Sequence, residues 1–461
     1  MAVILPPNLP RPAPAWRQEA ELATAIAVVY CLYLFSSEYH NLYYDAEDYW
    51  QLGHRFYHNG HFSLLAYDDA MRGYTYPLVN FLCLAVRKAF DWPAVAVVKL
   101  LNAGLAGLLF GVVGPRLWQA TTEAAMLPSL ARRLAWAMLG FVFWRGYFNF
   151  SLSDFPALLG LGAALWLVQR RGVWAALGAG VALGAAVNIR PIYLASVVPV
   201  LLLLGFRPRA SWVPQLGLLA VGATLVLAPQ WLINRRHFQA NTPLVLSQSK
   251  VLNIHNLYLQ KLKWGLLHEK YESSVGRELP TGQLLFLNAA GAKVLQAEHL
   301  IEIDSPAQYL HLVLRHPVVV AGVYGRHLFA GLDISHPTPY LKRWEPSILR
   351  QLFNYTLWFW ALLVALSRRP TRRAIVVLAA LLLPCLAVVP LSMEVRFLLP
   401  LHLLLLALVA FGQWPGSAFR GHRSVWTAAA YVGFVLGCAV LSTQIKQTVE
   451  PRFRPYLLAD K

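Results

Sequence analysis

The stretch "VVYCLYLFSSEYHNLYYDAEDYWQLG", residues 28–53, contains the end of an apolar run and, soon after it, three acidic residues. The chain has 461 residues, of which 57% are hydrophobic and only 13% are charged. This ratio is typical of membrane proteins, and apolar runs of about the 17 to 25 residues that cross a bilayer recur along the sequence. We therefore predict an all-α polytopic membrane protein.

About eleven such runs divide the chain. They are centred at residues 22–36, 94–114, 134–149, 155–168, 173–189, 192–205, 212–233, 352–367, 374–391, 397–414 and 425–443. The first run follows a head that contains Arg11 and Arg17, and it lacks an obvious small-residue cleavage site. We expect a retained signal anchor whose head stays in the cytoplasm.

Arginine clusters indicate the orientation of these spans, because cytoplasmic loops are enriched in Lys and Arg. The clusters fall in every second loop, at Arg116, Arg132 and Arg133; Arg170 and Arg171; Arg207 and Arg209; Arg368, Arg369, Arg372 and Arg373; and Arg420 and Arg423. This alternation predicts a multi-pass protein of a bacterial-type inner membrane, with the acidic stretch and the active site on the periplasmic side.

The formal charge of +18 follows the same topology instead of forming one basic stripe. Nucleic acid is therefore not an expected partner, whereas anionic membrane lipids are.

Two regions outside the cytoplasm are long, and they suggest a division into four parts. The parts are a cytoplasmic head, residues 1–21; an N-terminal transmembrane catalytic module, residues 22–233, with a first outer loop at 37–93; an outer region with amphipathic helices, residues 234–350; and C-terminal spans with a short tail, residues 351–461. Within the first outer loop, residues 78–90 are apolar at helical spacing, so we expect a juxtamembrane helix on the outer face.

Acidic side chains gather near the outer ends of the predicted spans. Asp45 and Asp48 are three residues apart and share one helical face, whereas Glu47 between them turns away. Asp154 begins the fourth span, and Glu394 lies between the ninth and tenth. Two carboxylates on one face can hold a cation or act as base and partner. The alternatives are that Asp45, Glu47 and Asp48 form the solvent-exposed flank of a span, and that Asp154 is an N-terminal helix cap.

Four arginines lie at outer ends of spans, against the usual distribution: Arg190, Arg235, Arg236 and Arg396. Guanidinium groups match phosphate oxygens, so these residues predict a site for an anionic headgroup. Snorkelling to the interface, or pairing of Arg396 with Glu394, is the alternative. Further candidates are Arg72, Lys250, His255 and Glu394. Without a Walker loop or a Gly-rich dinucleotide fingerprint, energy for a reaction is expected from a lipid-carried substrate on the outer face.

Four segments together resemble the C-type superfamily of polytopic glycosyltransferases, which use polyprenyl-phosphate sugars. The superfamily includes the protein mannosyltransferases, the lipid A aminoarabinose transferases and the arabinofuranosyltransferases. The segments are "YYDAEDYWQLGHRFYHNG" (43–60), "RGYTYPLVNFLCLAVRKAFDWPAVAVVKLLNAGLAGLLF" (72–110), "SLSDFPALLGLGAALW" (151–166) and "MEVRFLLPLHLLLL" (393–406). Asp45 and Tyr49 fill positions of the acidic first outer loop, although the cluster is not a plain Asp-x-Asp. Asp154 is similar to the second acidic residue, and Glu394 and Arg396 to a late E-x-R-aromatic element.

The resemblance implies a GT-C-like fold and an inverting transfer of a pentose or hexose from a polyprenyl monophosphate to a hydroxyl group. The acceptor would be a lipid, a glycan or a protein. Asp45, alone or with Asp48, would be the base, and Glu47 and Asp154 would orient the acceptor or bind an optional divalent cation (Mg²⁺, Mn²⁺ or Ca²⁺). Arg190 and Arg396, with Arg235 or Arg236 in reserve, would hold the donor phosphate. A transporter or flippase, and a glycan ligase that uses a diphosphate donor, are the alternatives.

Overall fold

A computed structural model describes residues 15–206, 209–250, 253–276, 279, 282–367, 369–413 and 422–453. Most of the predicted head, residues 1–14, lies outside these ranges, as do Arg207, Arg368 and Arg420. The structure is 72% helical, which confirms the helical class.

The first half of the described chain consists mainly of helices. They are α1 (Ala15–Ser36), α2 (Asp45–Gly53), α3 (Thr75–Phe90), α4 (Ala94–Leu108), α5 (Gly114–Thr122), α6 (Leu130–Trp144), α7 (Asp154–Leu167), α8 (Val173–Ile189), α9 (Val197–Leu204) and α10 (Arg209–Phe238). One long connection lies between α2 and α3. A π-helical turn, Leu109–Val113, makes α4 and α5 continuous. A two-stranded hairpin of β1 (Tyr57–His58) and β2 (His61–Phe62) follows α2, and its turn residues Asn59 and Gly60 both have positive φ.

The second half mixes helices with a small sheet. The elements are α11 (Leu257–Leu267), β3 (His268–Ser274), β4 (Gln283–Leu287), α12 (Ala289–Ala297), α13 (Pro306–Arg315), α14 (Pro317–Leu332), β5 (Tyr340–Leu341), α15 (Ile348–Leu366), α16 (Arg372–Val388), α17 (Leu399–Phe411) and α18 (His422–Gln447). In the sheet, β3 is central, antiparallel to β4 and parallel to β5. The expectation of an all-helical chain was therefore wrong for these segments.

Among the described residues, five helices are long and apolar enough to cross a membrane. They are Trp16–Ser36, Ala94–Thr122, Trp212–Phe238, Ile348–Leu366 and Ser424–Gln447. The predicted count of about eleven is not supported, because several apolar runs form shorter or interrupted helices. The run at 192–205, for example, begins as a 3-10 helix, Pro191–Ser196, and leaves only eight residues for α9.

Small residues let neighbouring helices approach closely. A Cβ atom at Gly107 of α4 would overlap the carbonyl oxygen of Ala23 in α1, and one at Gly222 of α10 would overlap that of Leu177 in α8. The second contact fixes α8 beside α10, and a hydrogen bond from Asn188 to Gln230 places the ends of both helices on the same side. Arg190 follows α8 directly, whereas Arg235 and Arg236 lie in the last turn of α10.

Candidate functional site

Asp45 is the first residue of α2, and its position depends on the buried face of that short helix. Tyr49 and Trp50 are each 3% exposed. The Tyr49 hydroxyl donates a hydrogen bond to Ser153 at 3.0 Å, which ties α2 to the residue before α7. The Asn80 side chain of α3 donates to the carbonyl oxygen of Tyr49 at 2.9 Å. The helix is therefore held from both sides, and Asp45 is held at its start.

The Asp45 carboxylate lies between two guanidinium groups from distant parts of the chain. Arg72 donates a hydrogen bond to Oδ1 at 3.1 Å, and Arg396 donates one to Oδ2 at 2.5 Å. Loss of solvation would by itself raise the pKa of Asp45, but the charges of Arg396 and Arg72 outweigh it and hold that pKa well below its usual range. Asp45 is therefore anionic at neutral pH.

Arg396 is the centre of the arrangement, because it pairs with three carboxylates. Besides Asp45, its Nη1 lies 3.5 Å from Asp154 and its Nε lies 2.8 Å from Glu394. Glu394 also accepts a hydrogen bond from the Tyr271 hydroxyl of β3 at 2.8 Å. The Arg396 side chain is only 9% exposed. Its guanidinium group is therefore surrounded by carboxylates.

Asp154 and Arg190 form a further ion pair of the site. Asp154 is the first residue of α7 and its side chain is 2% exposed, whereas the Arg190 side chain is 21% exposed. Arg190 stands where α8 ends, because the following Pro191 disfavours helical backbone at the residue before it. The ion pair thus joins the ends of two adjacent apolar helices.

Arg72 is positioned by the turn that precedes α3. The Asp69 carboxylate accepts hydrogen bonds from the backbone N–H groups of Met71 and Arg72, at 2.9 and 2.7 Å. Gly73 is required next to it, because a Cβ atom there would overlap Asn188 of α8. The Arg72 guanidinium lies 5.2 Å from the centre of the Tyr49 ring. Arg72 is 29% exposed and therefore keeps donors for a ligand.

A chain of buried amides supports this turn. Asn188 accepts from the backbone N–H of Thr75 at 2.9 Å and donates to Gln230 at 2.9 Å, and Gln230 donates to Asn234 at 2.9 Å. Gln230 also accepts from the backbone N–H of Tyr74 at 3.2 Å. These hydrogen bonds connect α3, α8 and α10 close to the charged residues. They therefore fix the spacing between Arg72 and Arg190.

Lys261 of α11 joins this site, although the sequence reasoning missed it. Its Nζ lies 5.1 Å from the centre of the Phe397 ring, whose other neighbours include Arg190 at 5.6 Å. Within the described ranges it forms no ion pair. Burial, helped by the charge of Arg72, lowers the pKa of Lys261 to about 8. The residues next to Lys261 in the sequence do not indicate that it belongs to the site, because its contact in the site, Phe397, is far away in the chain.

We call these seven residues the Arg396 cluster: Asp45, Arg72, Asp154, Arg190, Lys261, Glu394 and Arg396. Four cations face three carboxylates, which leaves an excess of one positive charge. Six of the seven were candidates from the sequence. These six come from five segments that are separated along the chain, and Lys261 comes from α11. Because the carboxylates of Asp48 and Asp69 also lie near Arg72, the case for an anionic ligand rests on the partly exposed donors of Arg72, Arg190 and Lys261 and not on this excess.

Of the remaining candidates from the sequence, Asp48 lies beside the cluster and the others lie elsewhere. Glu47 accepts a hydrogen bond from Gln51 of its own helix at 2.5 Å. Asp48 is exposed, and loss of solvation together with the Asp45 carboxylate raises its pKa. Arg235 lies 5.6 Å from the Trp231 ring on an exposed surface, and Arg236 lines a separate pocket. Lys250 and His255 are exposed in the loop before α11.

The residues present do not fit a divalent cation at this site. Both oxygens of Asp45 and both oxygens of Asp154 already face guanidinium groups. In the part of the chain that the structure describes, no three His, Cys, Asp or Glu side chains are grouped closely enough to hold a metal ion. An additional cation would have to compete with fixed positive charges.

No protein-family model matches the chain, and no match to a curated protein was found.

Proposed function

We propose that the chain is a membrane glycosyltransferase that moves a sugar from a polyprenyl monophosphate to a hydroxyl acceptor with inversion. The observation that supports this most is the Arg396 cluster, in which a carboxylate fixed in its anionic form lies beside cations with unused donors. The five membrane-spanning candidates supply the setting for a lipid-linked donor. The order of motifs in the sequence supports the same reaction class.

The donor phosphate would bind Arg72, Arg190 and Lys261. These three side chains are partly exposed and keep N–H donors that have no partner among the described residues, whereas Arg396 is surrounded by carboxylates. Charge-assisted hydrogen bonds from such groups stabilise the phosphate that leaves with the bonding electron pair. Arg396 is therefore a positioning residue in this proposal. Lys261 replaces Arg396 as a residue that binds the donor phosphate.

Asp45 would accept the proton of the acceptor hydroxyl. The acceptor oxygen forms a bond to the anomeric carbon, the bond from that carbon to the phosphate oxygen breaks, and polyprenyl phosphate leaves without needing a proton. A phosphate that engages Arg72 weakens one of the two hydrogen bonds to Asp45 and so makes this carboxylate a stronger base. Asp48, whose pKa is raised, lies one helical turn further and can receive the proton afterwards.

The direct test is transfer of radiolabel by the purified protein in nanodiscs. The donors are polyprenyl monophosphates that carry a labelled pentose or hexose, and the matched controls are the corresponding diphosphate donors and empty nanodiscs. Labelled product from a monophosphate donor, with release of polyprenyl phosphate, is the expected result. Product from diphosphate donors alone would replace the proposal with a ligase, and movement of intact donor across the bilayer without cleavage would replace it with a flippase.

A further inference from the structure

A second basic site lies at the end of α10, apart from the Arg396 cluster. A pocket of about 490 Å³ opens between this end and the segment that follows α2. Its polar lining comes from Arg55, Tyr57, His58, Asp68, Arg236 and His237. The pocket is open to solvent.

The pocket walls are held together by specific contacts. His237 Nε2 donates a hydrogen bond to the carbonyl oxygen of Leu65 at 2.8 Å, which joins the end of α10 to the opposite wall. On that wall, Arg55 is paired with Asp68 at 2.9 Å and approaches Asp69 at 3.8 Å. The carboxylates of Asp68 and Asp69 therefore neutralise the charge of Arg55 and hold its side chain against this wall.

The charge of Arg236 is not matched in the same way. Its side chain is exposed, and no ion pair of Arg236 occurs within the described ranges. Asp68, the one carboxylate in the lining, forms its ion pair with Arg55. An anion in the pocket would therefore meet a free guanidinium, with the imidazoles of His58 and His237 beside it.

The location of the pocket indicates the source of that anion. Arg236 lies near the end of the span candidate Trp212–Phe238. The ends of helices that cross a bilayer lie where lipid headgroups meet water. Tyr57 and Phe62 of the adjacent hairpin are 43% and 53% exposed, and aromatic rings of this kind are enriched at membrane interfaces. The planar guanidinium group of arginine matches the oxygens of a phosphate, which phospholipid headgroups carry.

We propose that this pocket binds the phosphate group of an anionic phospholipid headgroup, with Arg236 as its main contact. The chain offers a matched control in Arg235, which is adjacent and exposed but lies against Trp231 instead of lining the pocket. A general attraction between basic residues and anionic lipid would involve both arginines equally. A built site depends on Arg236 alone.

The test compares wild type, Arg236→Gln and Arg235→Gln, each in nanodiscs of phosphatidylcholine with or without phosphatidylglycerol. Lipids retained after mild delipidation are counted by native mass spectrometry. We expect wild type and Arg235→Gln to retain phosphatidylglycerol in preference to phosphatidylcholine, and Arg236→Gln to show about fivefold weaker retention. Equal loss in both variants, or no loss in either, would overturn the proposal.

A second arm separates a lipid headgroup from free phosphate. Inorganic phosphate is added to the detergent-solubilised protein, with chloride at matched ionic strength, and thermal unfolding is followed. Stabilisation by phosphatidylglycerol but not by inorganic phosphate, lost in Arg236→Gln, supports the headgroup. Stabilisation by both, lost in that variant, identifies a general phosphate site, whereas stabilisation by phosphate alone would overturn the assignment to lipid.

Discussion

The Arg396 cluster and the basic end of α10 (Arg235, Arg236 and His237) represent two outcomes of the same type of sequence position. Both place arginine at the end of an apolar segment. In the first, Arg396 is 9% exposed and meets three carboxylates, of which Asp45 and Asp154 come from distant segments. In the second, Arg235 and Arg236 are exposed, and Arg235 packs on a ring instead of an acid. An arginine at a span end therefore acquires a buried, charge-paired environment only when distant carboxylates reach it.

Among the variants, replacement of Asp45 should reduce the transfer rate most strongly. In the proposed reaction, Asp45→Asn removes the base without changing side-chain size, so the transfer rate should fall by about 10² to 10⁴. The matched control is Glu47→Gln in the same helical turn, because Glu47 bonds to Gln51 instead of to the cluster. Initial rates of label transfer measure both. Equal rates for Asp45→Asn and wild type would remove Asp45 from the mechanism.

Removal of Arg396 should affect folding as well as transfer. Arg396→Gln leaves the carboxylates of Asp154 and Glu394 largely buried with less compensating charge. Breaking a buried ion pair in this way costs about 3 to 5 kcal/mol. Denaturant unfolding in detergent should show that loss, whereas Arg235→Gln should stay within about 0.5 kcal/mol of wild type. Similar unfolding of both variants would contradict the central place of Arg396.

Arg72 should affect donor binding more than folding. Arg72→Gln removes one charge-assisted partner of the donor phosphate, and a contact of that kind contributes about 1.5 to 3 kcal/mol. The KM for the monophosphate donor should therefore rise by about tenfold to a hundredfold. Arg235→Gln serves again as the control, with an unchanged KM. A KM for Arg72→Gln equal to that of wild type would place the phosphate elsewhere.

Lys261 should make donor binding depend on pH. Because its pKa is lowered to about 8, the side chain is charged below that pH and becomes neutral above it. Donor affinity should therefore fall as pH rises through 8, with KM increasing by up to about tenfold at pH 9 if only the protonated amine binds phosphate. Lys261→Arg keeps its charge and should flatten the profile. An identical slope in this variant would show that another group titrates.

Much of the helical layout could be predicted from the sequence, because the length of an apolar run is a local property. Helices α7 and α8 begin and end within one residue of the predicted runs at 155–168 and 173–189. The sheet could not be predicted in this way. In β3, Lys270 and Glu272 are buried and paired with each other at 2.9 Å, so its sequence is too polar to indicate a buried strand.

The same limit applies to the site. The acids and arginines near span ends were identified as a group, and the structure brings Asp45, Asp154, Arg190 and Arg396 together. Nothing local distinguished Arg190 from Arg235, because the difference depends on Asp154 in another helix. Lys261 was missed for the same reason, since its position depends on contacts across the fold.

A structure of the protein in nanodiscs with bound polyprenyl phosphate, determined by cryo-electron microscopy, tests the central claim most directly. This ligand is the product of the proposed reaction and is chemically stable. We predict phosphate density within hydrogen-bonding distance of Arg72 and Lys261, beside Asp45. Phosphate density at Arg235 and Arg236, with none at the Arg396 cluster, would contradict the account.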